Sequence, residues 1–351
     1  MTMNPPKSTQ KNPSGHTAKE LIANMEQITW ERTGPMSLEN ARRNVKFLDQ
    51  GQSLVALRGT PVGEGDHAIV VASGPSIKFK DPAKAIQSSG YKGTIVCAES
   101  AIRYLLTHGI IPDLMVTVDP HPQRIVRWLG DPDLNEEKLA KDDYFRRQDM
   151  DEQFAQELEV NQRIIDLLEK HGKEIRIALS TSSSEALVKR VLEIGMQIYW
   201  WNPMLDDPDA KDSATRKLYD INGLPCVNAG GNVGAAAFMM ADAVLEKKHV
   251  GLVGMDLSYY DDTPYRNTQY YDAMLKVADE EDLDQFFIRI HNPHIDKWFF
   301  TDPAYMWYRE SFMEIAQNAD CMIYNCTEGG ILFGDPIEFI PFQRFLEKFS
   351  S

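Results

Sequence analysis

Between residues 66 and 120, three short apolar runs alternate with helical patterns, and this order constrains the fold more than anything else in the chain. His67-Ala68-Ile69-Val70-Val71-Ala72 ends in Ser73-Gly74-Pro75-Ser76. Thr94-Ile95-Val96-Cys97-Ala98 ends in Glu99-Ser100, and Asp113-Leu114-Met115-Val116-Thr117-Val118 ends in Asp119-Pro120. Runs this short and this apolar suit strands buried on both faces. Residues 82–88 read as a helix between the first two runs. Residues 101–108 read as a second helix, stopped by Gly109 as a left-handed cap. The βαβαβ order predicts a parallel sheet with right-handed crossovers. Ligands bind outside the carboxyl ends of the strands in such sheets, so the polar run ends mark a crevice.

The pattern resumes downstream with strands expected over 174–180, 198–201, 249–254 and 322–325. Helices are expected over 185–195, over 303–319, and from Asn232 through Leu245. Residues 16–50 also read as helical, with Ser37 as N-cap of the segment 38–48. The stretch 130–173 is highly charged. Within it, 153–170 carries an apolar stripe of Phe154, Leu158, Ile164, Ile165, Leu167 and Leu168, which fits either a lid or a plain solvated helix. Residues 202–222 read as a polar loop or lid, and 258–300 as a long loop. The fold class is α/β: a mostly parallel sheet with helices on both faces, plus a helical N-terminal segment and an inserted helix. The organisation is an arm over 1–40, one catalytic domain over 41–335 and a C-terminal tail over 336–351.

Composition narrows the function. With 37 basic and 52 acidic residues the net charge is −15, which repels nucleic acid and anionic lipid, so a phosphate site must come from local geometry. No apolar run is long enough to span a membrane, and residues 1–19 lack the apolar core of a secretory signal. Cys97, Cys226, Cys321 and Cys326 form no CxxC pair, so zinc is disfavoured and a reduced, cytoplasmic protein is expected.

Four constellations can carry chemistry. The turn Ser73-Gly74-Pro75-Ser76 matches neither a P-loop nor a dinucleotide fingerprint; it is either an anion-holding nest or a tight connection that binds nothing. Asn228-Ala229-Gly230-Gly231-Asn232-Val233-Gly234 lets a ligand approach the backbone before an Ala-rich helix, with Asn232 adding a side-chain donor; close packing is the rival reading. The acids Glu99, Asp119 and Asp256 each follow an apolar run and can act as base, ribose ligand, Mg²⁺ ligand or plain cap. The segment 258–269 offers Tyr259 and other aromatics for stacking, and Arg266 for a phosphate. His121, two residues after Asp119, is the histidine expected in the crevice, whereas His108 suits a helix C-terminus. Ser182 to Ser184 lack a G-x-S-x-G context, which disfavours a serine hydrolase.

In order, ASGPS, CAESAIRYLLTHGIIPDLMVTVDP, NAGGNVGAAAFMMADAVL, VGLVGMDLSY and NCTEGG resemble the motility-associated-factor (Maf) glycosyltransferases, whose core is shared with 6-hydroxymethylpterin diphosphokinase MptE-like proteins (DUF115). The resemblance runs from about residue 40 to about residue 335. It implies a Rossmann-like core related to the sialyltransferases, and transfer of a nonulosonic acid from a CMP-activated donor. It puts Gly74, Pro75 and Ser76 in the nucleotide-binding turn, Asp119, Asn232 and Asp256 at the donor crevice, and Thr327 and Glu328 near its outer edge.

The combined expectation is a glycosyltransferase. Asp119, Asp256 and His121 are its candidate catalytic residues. Ser73, Gly74, Pro75, Ser76, Glu99, Gly230, Gly231, Asn232, Tyr259, Thr327 and Glu328 are its candidate donor-binding residues. The partners are a nucleotide-activated sugar and a protein, lipid-linked or polysaccharide hydroxyl, with no metal or other cofactor required. The alternatives are a pterin diphosphokinase using ATP and Mg²⁺, and a nucleotide-binding module without catalysis.

Overall fold

The computed structural model describes residues 18–121, 125–141, 156–275 and 279–350. Thirteen strands are described: β1 (Gln52–Ser53), β2 (His67–Val71), β3 (Thr94–Ala98), β4 (Leu114–Val116), β5 (Arg176–Ser180), β6 (Gln197–Pro203), β7 (Cys226–Val227), β8 (His249–Val253), β9 (Tyr259–Tyr260), β10 (Ile288–Asn292), β11 (Lys297–Thr301), β12 (Met322–Asn325) and β13 (Glu338–Phe339). Ten form one sheet in the order β1-β6-β5-β4-β3-β2-β8-β12-β13, with β7 beside β6. The central ladders are parallel, for example Val70 opposite Val96 on one side and Leu252 on the other. From β2 the chain runs out through β3, β4, β5 and β6, then returns to lay β8 on the other flank of β2. The order therefore reverses between β2 and β8, the position where open α/β sheets bind ligands.

Alternation along β2 explains the layers. Ile69 and Val71 face one apolar cluster, while Ala68 and Val70 face another, because successive side chains point to opposite faces. The first cluster takes the helices Pro82–Ser89, Ile102–Thr107, Glu157–His171 and Glu185–Ile194. The second takes the helix Val233–Met239, whose Ala235, Ala236 and Ala237 are fully buried. Small residues there bring the helix close to the sheet. No described helix is long and apolar enough to cross a membrane.

Several expectations need correction. Ser37 is not an N-cap: the helix Met25–Asn44 runs through it, and its hydroxyl donates to the Thr33 carbonyl at 2.9 Å. The stretch 202–222 contains the helix Ala214–Asn222, started by Ser213, which accepts from the Arg216 N–H, and stopped by Gly223 at φ 67. The stretch 258–300 is not one loop: β9, β11 and β10 pair antiparallel over a satellite core of Tyr259, Met274, Leu283, Phe286, Phe287 and Phe300. The expected C-terminal tail contributes β13 and the helix Phe342–Phe349, whose Phe345 and Leu346 are fully buried, worth about 2 kcal/mol apiece. Gly251 in β8 makes room for this helix, since a Cβ there would sit 2.9 Å from the Phe345 ring. The helix in the charged insertion buries Ile164 and Leu168 in the core, so it is neither a free lid nor a solvated rod. Its expected first turn, and the start of the expected N-terminal helix, lie outside the described residues.

Candidate active site

A crevice of about 2270 Å³ opens at the carboxyl ends of β2, β3, β4 and β8. Its floor comes from the expected loops. Its walls come from the helices Met25–Asn44 and Pro303–Gln317.

The turn after β2 is built around Asp256. The Gly74 N–H donates to the Gly254 carbonyl at 2.8 Å. The Ser76 N–H and hydroxyl both go to the Asp256 carboxylate, at 3.1 and 2.6 Å. A Cβ on Gly74 would meet Asp256 Oδ2 at 2.1 Å, so glycine is needed for this close approach. Burial pushes the Asp256 carboxyl up to about 7, against the opposing pull of the Ser76 hydrogen bonds. Asp256, 1% exposed, is thus the anchor of the turn, and Ser76 faces it. The nest read from the sequence is mostly spent: Gly74 and Ser76 have committed their N–H groups and Pro75 has none. Ser73 remains at the crevice, its hydroxyl 2.6 Å from that of Ser100.

The acids behave differently from one another. Glu99 is 4% exposed, and Oε2 has no hydrogen-bond partner among the described residues. Burial, then the nearby Asp119 charge, push its carboxyl well above the ordinary range, while the Val118 N–H holds it down. Asp119 is half-buried, lines the crevice and accepts the His121 N–H at 2.8 Å. His121 lines the crevice as expected.

The polar member of the glycine turn, Asn232, lines the crevice and also makes local contacts. Asn232 caps the helix Val233–Met239 by accepting the Ala235 N–H at 3.0 Å, and its amide donates to the Gly230 carbonyl at 3.2 Å. Gly230 and Gly231 adopt φ 53 and 75 and line the crevice. A Cβ on Gly231 would collide with the Trp307 ring at 2.4 Å.

Three other expected residues make contacts within the scaffold, Tyr259 while also lining the crevice. Tyr259 is buried; its hydroxyl donates to Asp302 Oδ2 at 2.9 Å and accepts the Gln269 N–H at 3.0 Å. Asp302 in turn caps the helix Pro303–Gln317 through the Tyr305 N–H at 2.8 Å, and burial raises its carboxyl to about 6. Thr327 accepts the Met255 N–H at 3.2 Å. Glu328, at φ 52, accepts the Phe342 N–H at 3.3 Å and lies 3.5 Å from Lys80. Thr327 and Glu328 line a separate hollow of about 200 Å³ beneath the turn, not the crevice. Arg266 is exposed and outside the crevice lining.

Sequence reading anticipated both wall helices, within 16–50 and 303–319, but not that they line the crevice. Met25, Thr29, Arg32 and Met36 line one side, at the three- and four-residue spacing that was the available signal. Trp307 and Tyr308 line the other, with Tyr308 hydroxyl-bonded to Tyr270 at 2.7 Å. The crevice also reaches Arg103, held on Glu157 at 3.0 and 3.1 Å.

No curated protein matches the chain. Residues 38–129 match the family of 6-hydroxymethylpterin diphosphokinase MptE-like proteins. The fold is similar to that of the Maf glycosyltransferase from Magnetospirillum magneticum AMB-1, with TM-score 0.54 and 15% identity over 87% of this chain. The chain spans 38% of the length of that solved structure. The resemblance read from the ordered motifs therefore stands on both counts: the segment 38–129 is similar to the MptE-like family, and the α/β, Rossmann-like fold is shared with a Maf glycosyltransferase.

Proposed function

We propose that the protein transfers a sugar, a nonulosonic acid, from a CMP-type donor to a hydroxyl acceptor. The observation that carries this reading is Asp119: an accessible carboxylate at the end of β4, inside a crevice at the sheet's switch point. The crevice volume exceeds the roughly 300–1,000 Å³ of ordinary ligand pockets, which leaves room for donor and acceptor together. Asp119 takes the acceptor hydroxyl proton as the acceptor oxygen forms its bond to the anomeric carbon. The bond from that carbon to the phosphate oxygen breaks, and the nucleotide leaves with the electron pair. Ser73 and the bare backbone of Gly230 and Gly231 border the space for the nucleotide. The acceptor hydroxyl belongs to a protein, a lipid-linked glycan or a polysaccharide, and an activated nucleotide donor fits a cytoplasmic setting.

The test is CMP stabilisation of wild type and Asp119→Asn, with and without Mg²⁺, beside CMP release from CMP-N-acetylneuraminate. The reading expects a Mg²⁺-independent rise in Tm in both proteins and loss of CMP release only in the variant. The match over 38–129 and the neighbouring Glu99 and Asp119 favour one second reading, a pterin diphosphokinase in which these carboxylates hold Mg²⁺ on ATP. Stabilisation by ATP with Mg²⁺ and not by CMP would put that reading first. Binding with no turnover in the wild type would leave a nucleotide-binding module.

A further inference from the structure

The helix Met25–Asn44 is built in two unlike halves. From residue 25 to 33 no side chain is fully buried, whereas Ser37, Asn40, Ala41 and Asn44 beyond Pro35 are. The rear half is clasped to the sheet's carboxyl edge. Asn40 donates to the carbonyls of Pro120 and Ser182 at 2.9 and 2.7 Å, and Asn44 donates to those of Thr181 and Ser183 at 2.8 Å each. The front half overhangs the crevice with Met25, Thr29 and Arg32 on its lining face.

The cations that line this crevice are mostly committed. Arg103 is bound to Glu157, Arg163 donates to the Thr107 carbonyl at 3.5 Å, and His108 contacts the Tyr104 carbonyl at 2.7 Å. Lys78 and His121 also have partners. Arg32 is exposed and makes no hydrogen bond or ion pair with any described residue. It lines the crevice together with Asp119 and Tyr308, and the Tyr308 phenol, raised to about 12 chiefly by burial, feels both the Asp119 carboxylate and the Arg32 guanidinium. An anionic ligand entering beside Asp119 is repelled unless a cation meets it, and a guanidinium offers a planar fork suited to carboxylate or phosphate oxygens.

We infer that Arg32 is the donor-binding cation of this site, taking an anionic oxygen pair of the nucleotide-sugar, carboxylate or phosphate, from the overhanging helix. This rests on the nucleotide-sugar reading above. It adds a residue that neither the motifs nor the comparisons single out, and it gives the front half of the helix a role in selecting charged donors.

The experiment is calorimetric titration of wild type, Arg32→Gln and Arg32→Lys with cytidine, CMP and CMP-N-acetylneuraminate, with thermal melts as a fold control. Charge-assisted hydrogen bonds of about 1.5–3 kcal/mol correspond to a loss of roughly 10- to 100-fold in affinity for Arg32→Gln. Cytidine binding should be unchanged, and Arg32→Lys should recover part of the loss. Equal weakening toward CMP and the CMP-sugar identifies the phosphate as the bound anion; weakening toward the CMP-sugar alone identifies the carboxylate. Wild-type affinity of Arg32→Gln for all three probes overturns the inference, as does equal weakening toward cytidine. Failure of the wild type to bind any probe overturns the nucleotide-sugar reading itself, and Arg32 loses its role with it.

Discussion

Replacing Asp256 by Asn should change how stability depends on pH, and in the variant's favour at high pH. Asp256 is 1% exposed, and its ordinary carboxyl value of 3.8 is raised to about 7 by burial. Below the ordinary value, folded and unfolded chains both hold the proton. As pH rises from there toward about 7, the unfolded chain releases it and the folded chain keeps it. Stability falls through that window and levels off above it. At about 1.4 kcal/mol per pH unit, the gap reaches about 4 kcal/mol as an upper bound. Asn is the same shape: its carbonyl can accept the Ser76 N–H, and the Ser76 hydroxyl can turn to accept from the amide. The variant therefore keeps the turn and loses the titration. Urea denaturation of both proteins from about pH 5 to about pH 8.5 reads the difference, since the midpoint shifts while the slope stays constant. Curves that stay parallel across this range would refute the argument, as would a variant that loses most ground at the alkaline end.

Other outcomes follow from single contacts. Gly231→Ala meets both a positive φ and the Trp307 ring, so a loss of about 1–3 kcal/mol is expected in urea titration. Asn44→Ala strips both carbonyls of a fully buried amide and should cost about 1–3 kcal/mol; a change near zero would show that water replaces the clasp. Asp119→Asn should abolish CMP release while CMP still raises the Tm, and Arg32→Gln should weaken anionic probes but not cytidine.

The alternating apolar runs were enough to foresee the central parallel sheet, its helices on both faces and the location of the crevice. Hydrophobic periodicity is local, and the strands β2, β3, β8 and β12 carry it within five residues. The pairing of β9, β10 and β11 was illegible because two of its contacting residues, Tyr259 and Phe300, are 41 positions apart and β9 is two residues long. The helix Phe342–Phe349 looked like a tail because its burial depends on Gly251, which sits far upstream.

Within the site, sequence alone determined which residue types reach the strand ends. Tertiary structure decided what each side chain does there. Asp119 and Asp256 look alike in sequence, each an acid after an apolar run. Both line the crevice, but Asp119 is only half-buried there, while Asp256 is 1% exposed because Ser76 and Gly74 close on it. Asn232, read as a ligand donor, lines the crevice but also caps a helix with its carbonyl and gives an amide hydrogen to the Gly230 carbonyl. Arg32 carries no motif, and it reaches the crevice only because its helix is laid across the carboxyl ends of β4 and β5. A strand's end is fixed by the order of its own residues. Whether its polar group meets water, a ligand or another side chain is fixed by which distant backbone arrives beside it.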